Sequence, residues 1–546
     1  MSELSGKTWR AIARLINLAG IYTPRAMEPG DTETCIRLIQ QIKESRELAS
    51  LPVLAELLFN GNTPVRVAAE SAVASLFKHG RPKDYPLVDS RLRAWSAPTS
   101  LWHKRLSARN LAQLAKDTHI PAEFLLLATM HRDGYVRQGA IRLLAKSISD
   151  GSEIPLLILR TNDWVPEVRE EAVRLVRERF RIDHACHFVR NYWLVKWLAA
   201  SERPSCSPFA SEIDDFLCEK CLTDLLFAEM NSGVSFVRRS SFALLVQADN
   251  VSIEQIIDRA VQSFDEQIRL KATVLAIAQL RGDPLKHVLF GRLGDPFGPI
   301  RRRVLEAIDR QFHSASRPIL IESLLDRHGV VRATARALIK SEEPGFDFCG
   351  FYRDALTSAR GEKLTACILG LGETGEREDS TSIVPFLEAR FPRDRKAALS
   401  SLYNLDKEAA IPVLLGALSD AHAGVSRVAV NLLCQNGLDS HIDQLIETVR
   451  VAKSDHGIAN ALTSIARVHE WKSLAMLVMF CGHPQESIAD HAIMLLCGWL
   501  RRPQMARGSR VDIKRVATEI DRVRHRLPSA RLNDLKLIVR LGLANH

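Results

Sequence analysis

Asp326-Arg327-His328-Gly329-Val330-Val331-Arg332-Ala333-Thr334-Ala335 decides the fold: a capping carboxylate, a short turn, a Val-Arg pair, then small residues opening an apolar run. The phrase recurs as Asn62-Thr63-Pro64-Val65-Arg66-Val67-Ala68-Ala69, Asp133-Gly134-Tyr135-Val136-Arg137, Asp163 through Val168-Arg169, Asp265-Glu266-Gln267-Ile268-Arg269, and Asp295 through Ile300-Arg301. Aligned on the arginine, positions 105, 137 and 169 form one series and 238, 269, 301, 332, 363, 395, 426, 457 and 489 a second, every step being 31 or 32 residues. Lys363, Ser426, Gly457 and Ala489 replace the arginine late in the second series, yet the spacing persists. A fixed period of this size marks a repeat architecture.

Within one unit the apolar positions are helical: Val65, Ala68, Ala69, Ala72, Val73 and Leu76 share one face. A second apolar segment precedes each turn, as in Leu51-Pro52-Val53-Leu54-Ala55-Glu56-Leu57-Leu58 and Ile411-Pro412-Val413-Leu414-Leu415-Gly416-Ala417-Leu418. The period predicts two helices of about 10 to 14 residues per unit. Pro64, Pro166 and Pro299 stand where a first helical turn accepts proline. No two-residue period is sustained, so no sheet is expected. Helix pairs of this size bury their apolar faces only by stacking, which predicts an all-α solenoid with a right-handed superhelical path and a large concave surface. The 546 residues, 46% hydrophobic and 25% charged, exclude disordered and collagenous classes.

These units resemble the HEAT repeats, and more narrowly the short bacterial type called phycobilisome-lyase HEAT-like repeats, in which Asp, a turn and Val-Arg precede an Ala-rich helix. Residues 326–335 and the units at Arg66, Arg169 and Arg301 carry the resemblance, which covers roughly residues 30 to 500. It implies an armadillo-type helical fold and leaves function open. It also implies a structural role for Arg66, Arg137, Arg169, Arg238, Arg269, Arg301 and Arg332, as a ladder bonding adjacent repeats.

The reading divides the chain into an N-terminal cap (1–30), repeats (31–200), an irregular insertion (201–222), further repeats (223–500) and a basic helical cap (501–546). The register breaks between Arg169 and Arg238, and the surplus falls in Ser201 to Ser211, where Pro204, Pro208 and several serines read as a loop. Nearby lie His184, Cys186, His187, Cys206, Cys218 and Cys221. Zinc needs four such ligands converging as a tetrahedron. Phe216, Leu217, Cys218, Cys221, Leu222, Leu225 and Leu226 instead read as one helix with core cysteines on its apolar side, so no metal and no cofactor is expected. The ten cysteines are scattered, as free thiols in a reducing compartment are. No apolar run reaches membrane-spanning length, and Arg14 and Asn17 interrupt the segment Ala11 to Ile21, so the reading is a cytoplasmic chain without membrane insertion.

Net charge is +10, and residues 501–546 hold twelve basic against four acidic residues, leaving the body nearly balanced. Arg507, Arg510, Lys514, Arg515, Arg522, Arg524 and Arg526 accompany Val511, Ile513, Val516, Ile520, Val523 and Leu527, an amphipathic helix with a cationic outer side. Arg301, Arg302, Arg303, Arg310 and Arg317 make a second basic cluster. Gly370, Gly372 and Gly375 approximate a dinucleotide fingerprint, but no strand precedes them and a helix-ending turn accounts for them. Some HEAT-like DNA glycosylases use exposed tryptophans and an aspartate, and one HEAT-repeat metal hydroxylase class uses several His-Glu pairs. Here Trp193 and Trp197 read as a packed helix face, and His469-Glu470 is a lone pair. No catalytic motif emerges. The leading expectation is therefore a scaffold binding a protein partner along its concave surface. The alternative is a nucleic-acid binder, glycosylase-like or otherwise DNA-modifying, anchored by Lys514, Arg515, Arg522, Arg524 and Arg526 with Arg301, Arg302 and Arg303.

Overall fold

A computed structural model describes residues 4–544 apart from 22–26, 29, 80–81, 96–99, 118–119, 149, 436–440, 452–453, 469, 502–508 and 528. Among the described residues every regular element is helical. The chain separates into two compact units, Met1–Gly282 and Asp283–His546, a division inside the run of repeats expected over 223–500. Each unit is an α-solenoid of antiparallel helix pairs, the HEAT or armadillo-type fold.

In the first unit the pairs include Leu51–Leu57 with Thr63–His79, Ala122–Ala128 with Gly134–Ser147, Ile154–Arg160 with Pro166–Arg177, and Ile253–Ala260 with Glu266–Gln279. Their first helices run 7 or 8 residues, shorter than expected. Pro52 and Pro155 start two of them late, and those helices are buried at every position. A helix that is apolar all round is covered on all sides. The second helices are longer and bury one stripe, such as Val168, Ala172, Leu175 and Val176.

The segment expected as a loop over 201–211 is largely a helix, Cys206–Leu217, packed on Tyr192–Ala199. Pro208 falls in its first turn, where the missing N–H costs no bond. The Tyr192 hydroxyl donates to Asp214 at 2.7 Å and Lys196 pairs with the same carboxylate at 3.1 Å. The helix expected to run through Cys218 and Cys221 is broken there. Cys218 caps Cys206–Leu217, Glu219 is extended, and a 3-10 turn at Lys220–Leu222 leads into the helix Thr223–Glu229.

In the second unit the glycines at 370 and 372 lie inside the Gly361–Thr374 helix and do not end it. A Cβ on Gly370 would overlap the Tyr352 ring, and one on Gly372 would overlap the side chain and backbone of Ser401 in the Pro392–Leu405 helix. They permit a close helix contact.

One bonding pattern joins the turns. The Nη1 of Arg137, Arg169, Arg238, Arg269, Arg301, Arg332 and Arg395 each donates to the carbonyl six residues back, those of His131, Asp163, Ser232, Ser263, Asp295, Asp326 and Ala389. The other guanidinium edge reaches the next repeat's turn: Arg137 to Asp163 at 2.9 and 2.6 Å, Arg238 to Asp265 at 3.2 and 2.9 Å, Arg301 to Asp326, and Arg395 to Asp420 at 2.8 Å twice. Each of those aspartates also accepts an amide two residues on, from Val165, Gln267, His328 and His422. One carboxylate thus caps its own turn and holds its predecessor's arginine. After Arg332 the next turn, Ser358-Ala359-Arg360-Gly361, carries no aspartate, and Glu373 takes Arg332 and Arg336 instead. Arg66 stands apart, half-buried, bonded to Thr63 at 3.3 Å and 3.9 Å from Glu70. At the most buried joint Asp163 receives Arg93, Arg137 and Arg160, while Asp89 receives Arg93 and Arg160.

Removing one partner of such a joint leaves buried charge uncompensated, so Asp163→Ala is expected to lower unfolding free energy by about 3–5 kcal/mol, against about 0.5 kcal/mol or less for Arg66→Ala, both read from denaturant midpoints. Gly372→Ala is expected to cost about 1–3 kcal/mol, because Ser401 backbone must move to admit the methyl group.

Candidate functional site

The ladder fixes the turns, and the turns of the first unit present large apolar side chains to solvent. Tyr135 is 77% exposed, Trp164 65% and Phe264 64%, with Val234 and Phe236 exposed at the equivalent turn between Thr223–Glu229 and Ser235–Gln247. Trp164 follows Asp163 and Phe264 precedes Asp265, so the aspartate that accepts the preceding arginine also places the ring. The Arg137 guanidinium lies 5.8 Å from the Trp164 ring centroid and that of Arg238 lies 4.5 Å from Phe264. These cation–π contacts hold the rings over buried cations while their outer faces stay open. In the second unit Val330 and Phe391 are exposed at corresponding turns. In the sequence the row is an aromatic or branched residue two to five places before the ladder arginine, a pattern that matches no catalytic motif.

An open groove of about 670 Å³ runs along Pro166–Arg177, lined by Arg169, Glu170, Val173, Arg174, Arg177 and Ser205 among others. Its charges are largely matched: Arg177 pairs with Glu212 at 2.7 Å, and Arg174 with Glu171 at 2.8 Å and with Glu178. A surface of this composition suits a polypeptide with mixed side chains better than a polyanion.

Four of the five arginines in the basic cluster near 301 are bonded to carboxylates, while Arg310 is exposed with no ion pair among the described residues. Arg301 is buried on Asp326, Arg302 and Arg303 both bond Glu306 at 2.9 and 3.1 Å, and Arg317 pairs with Glu343. In the C-terminal segment Lys514, Arg515, Arg522, Arg524 and Arg526 are all exposed. Arg522 pairs with Glu519 at 2.9 Å and Arg526 donates to the His483 carbonyl at 3.0 Å, whereas Lys514, Arg515 and Arg524 have no ion pair among the described residues. Arg507 lies outside the described residues, and Val511, expected on the buried side, is 75% exposed.

The cysteines near the insertion face different neighbours: Cys206 bonds Asn162 at 3.3 Å, Cys218 the Leu244 carbonyl at 3.5 Å, and the exposed Cys221 Glu219 at 3.6 Å. Burial, with the carboxylates of Asp214 and Asp215, pushes the Cys218 thiol up to about 11. The metal-type side chains that do converge among the described residues are Asp309, His313 and Glu342, with His313 Nδ1 3.5 Å from Glu342. His313 there is 70% exposed, an ordinary surface pairing. His469 of the His-Glu pair lies outside the described residues.

One buried titratable pair supports the turn row from below. The Asp133 amide donates to Nδ1 of His131 at 3.1 Å, so the ring proton sits on Nε2, which faces Nδ1 of His103 at 3.1 Å. His103 Nε2 in turn donates to the Leu92 carbonyl at 3.1 Å. Both rings are neutral in this chain. Burial holds His131 down at about 4, and burial followed by the charge of Arg132 lowers His103.

No family model matches the chain, and no curated protein matches it. Among solved structures it is similar to yeast importin-beta, at 12% identity over 99% of this chain and 73% of that one, with a TM-score of 0.38. A structure of Kap121p bound to Pho4p is similar at 13% identity over 99% and 70%, TM-score 0.33. Human deoxyhypusine hydroxylase is similar at 16% identity over 46% of this chain and 98% of that one, TM-score 0.21. At these values the similarities carry no argument about what the chain binds. No helix among the described residues is long and apolar enough to cross a membrane.

The histidine pair has a signed consequence. Its folded-state pKa values lie below the unfolded value of 6.5, so between about pH 6.5 and 4 the unfolded chain takes up protons that the folded chain refuses, and stability falls as pH falls. Denaturant titrations over that interval are expected to show this slope, and the His103→Gln, His131→Gln double variant to flatten it.

Proposed function

We propose that this chain is a HEAT-repeat scaffold that holds a protein partner against its second helices, on what the repeat geometry predicts is the concave side, with the exposed turn residues as anchors. The carrying observation is that Tyr135, Trp164, Phe236 and Phe264 are exposed two or five residues before the arginines at 137, 169, 238 and 269, with Trp164 and Phe264 held over Arg137 and Arg238. Large rings already held in place lose little freedom when a partner covers them, and interface energy concentrates on such residues. Successive helix layers stand about 9–10 Å apart, so the anchors engage an extended or helical segment at several points. The proposal includes no reaction and no cofactor, and places the chain in the cytoplasm.

The nucleic-acid alternative retains only the C-terminal basic residues, since Arg301, Arg302 and Arg303 are bonded to carboxylates. Extended tracking of phosphates calls for many unpaired cations along the body.

A partner isolated on the full chain and titrated by calorimetry is expected to bind the Trp164→Ala, Phe264→Ala double variant at least about tenfold more weakly, roughly 1.4 kcal/mol, with the thermal midpoint of the scaffold unchanged. Equal affinity for the variant would remove the turn row from the interface.

A further inference from the structure

The last two described helices, Arg510–Val523 and Ser529–Ala544, form a hairpin. Their inner faces are satisfied. Ile513, Val516, Ile520 and Val523 are buried on one helix, and Leu535 and Val539 on the other. A Cβ on Gly542 would overlap the Trp471 ring and stand 3.4 Å from Ile513, which fixes how the two helices pair. In that register Val511, Lys514 and Arg515 lie level with the Leu541 end of the second helix.

The outer face combines two features. Arg510, Lys514, Arg515, Arg524, Lys536 and Arg540 are exposed and have no ion pair or side-chain hydrogen bond among the described residues, while the carboxylates beside them are Asp521, half-buried Asp512 near Arg515, and Asp534, which pairs with Arg531. Among these cations stand aliphatic side chains with no cover: Val511 at 75% exposure, Leu537 at 57% and Leu541 at 50%. Leu537 and Leu541 are one helical turn apart, and each directly follows a basic residue, Lys536 or Arg540.

We propose that this hairpin docks the chain on an anionic lipid surface. The cations supply charge complementarity to acidic headgroups, and the aliphatic side chains enter the headgroup boundary that the cations flank. A nucleic-acid backbone accounts for the cations alone, since phosphates offer nothing to a leucine, and single-strand binding uses aromatic platforms that this face lacks among its described residues. The long basic side chains reach the headgroups while their stems lie along the leucines. The inference is independent of the turn row, which belongs to the first unit.

The test is cosedimentation of the full chain with vesicles of phosphatidylcholine alone and of phosphatidylcholine mixed equally with phosphatidylglycerol, beside anisotropy on duplex DNA. Binding to the mixed vesicles only, weakened by salt, is expected. The Leu537→Asp, Leu541→Asp double variant is expected to lose that binding more than tenfold at an unchanged thermal midpoint, and Lys514→Glu, Arg515→Glu to lose it similarly. Absence of binding to the mixed vesicles would overturn the proposal, as would binding indifferent to the leucine substitutions. DNA binding that survives those substitutions while vesicles do not bind would assign the face to nucleic acid.

Discussion

The guanidinium of a ladder arginine has two edges, and the fold depends on using them in different repeats. One edge closes the arginine's own turn through the carbonyl six residues back, and the other holds the aspartate of the next turn. Apolar packing supplies most of the driving force for stacking helix pairs, but it is non-directional and tolerates sliding. The fork is directional, and it meets an aspartate already oriented by its own helix. Together they set the register in which one pair sits on the next. The fully buried joint of Arg137 and Asp163 shows how strongly this is enforced, since neither charge has water to fall back on.

The surface chemistry inherits that register. A ring next to the acceptor aspartate is carried to the outside and braced from beneath by the preceding arginine, so the exposed aromatics of the first unit recur because the buried ion pairs recur. Below them, the hydrogen-bonded chain from the Asp133 amide through His131 and His103 to Leu92 fixes the start of the Gly134–Ser147 helix.

Much of this was legible in the sequence. Helix pairs, their period and the arginine positions follow from a pattern in which local signals agree across many units. The exceptions have physical causes. Arg332 is in register, but its acceptor Glu373 is 41 residues away on a helix, because the intervening turn has no aspartate, and no periodic reading finds such a partner. Arg66 carries the turn phrase but lies outside the 31–32-residue register, and it has no buried acceptor among the described residues. The apparent basic cluster at Arg302 and Arg303 dissolves once Glu306 is seen three and four residues on, a spacing present in the sequence. Gly375 does cap its helix, but Gly370 and Gly372 looked like helix-ending residues because contact between distant helices leaves no local trace. The basic C-terminal helix was legible, but not the exposure of Val511, since one apolar residue at a helix start is equally compatible with either side.

Because each arginine and its acceptor belong to consecutive repeats, the joint is indifferent to which repeat supplies which half. Excising one whole 31-residue unit from a regular stretch brings an arginine to another aspartate of the same geometry, whereas a partial deletion strands a charge on each side of the cut. Length in such a chain therefore changes most easily in whole repeats, by duplication or loss within the gene. The stretch between Arg332 and Glu373 is where that freedom ends, since its acceptor cannot be exchanged for the one in any other repeat.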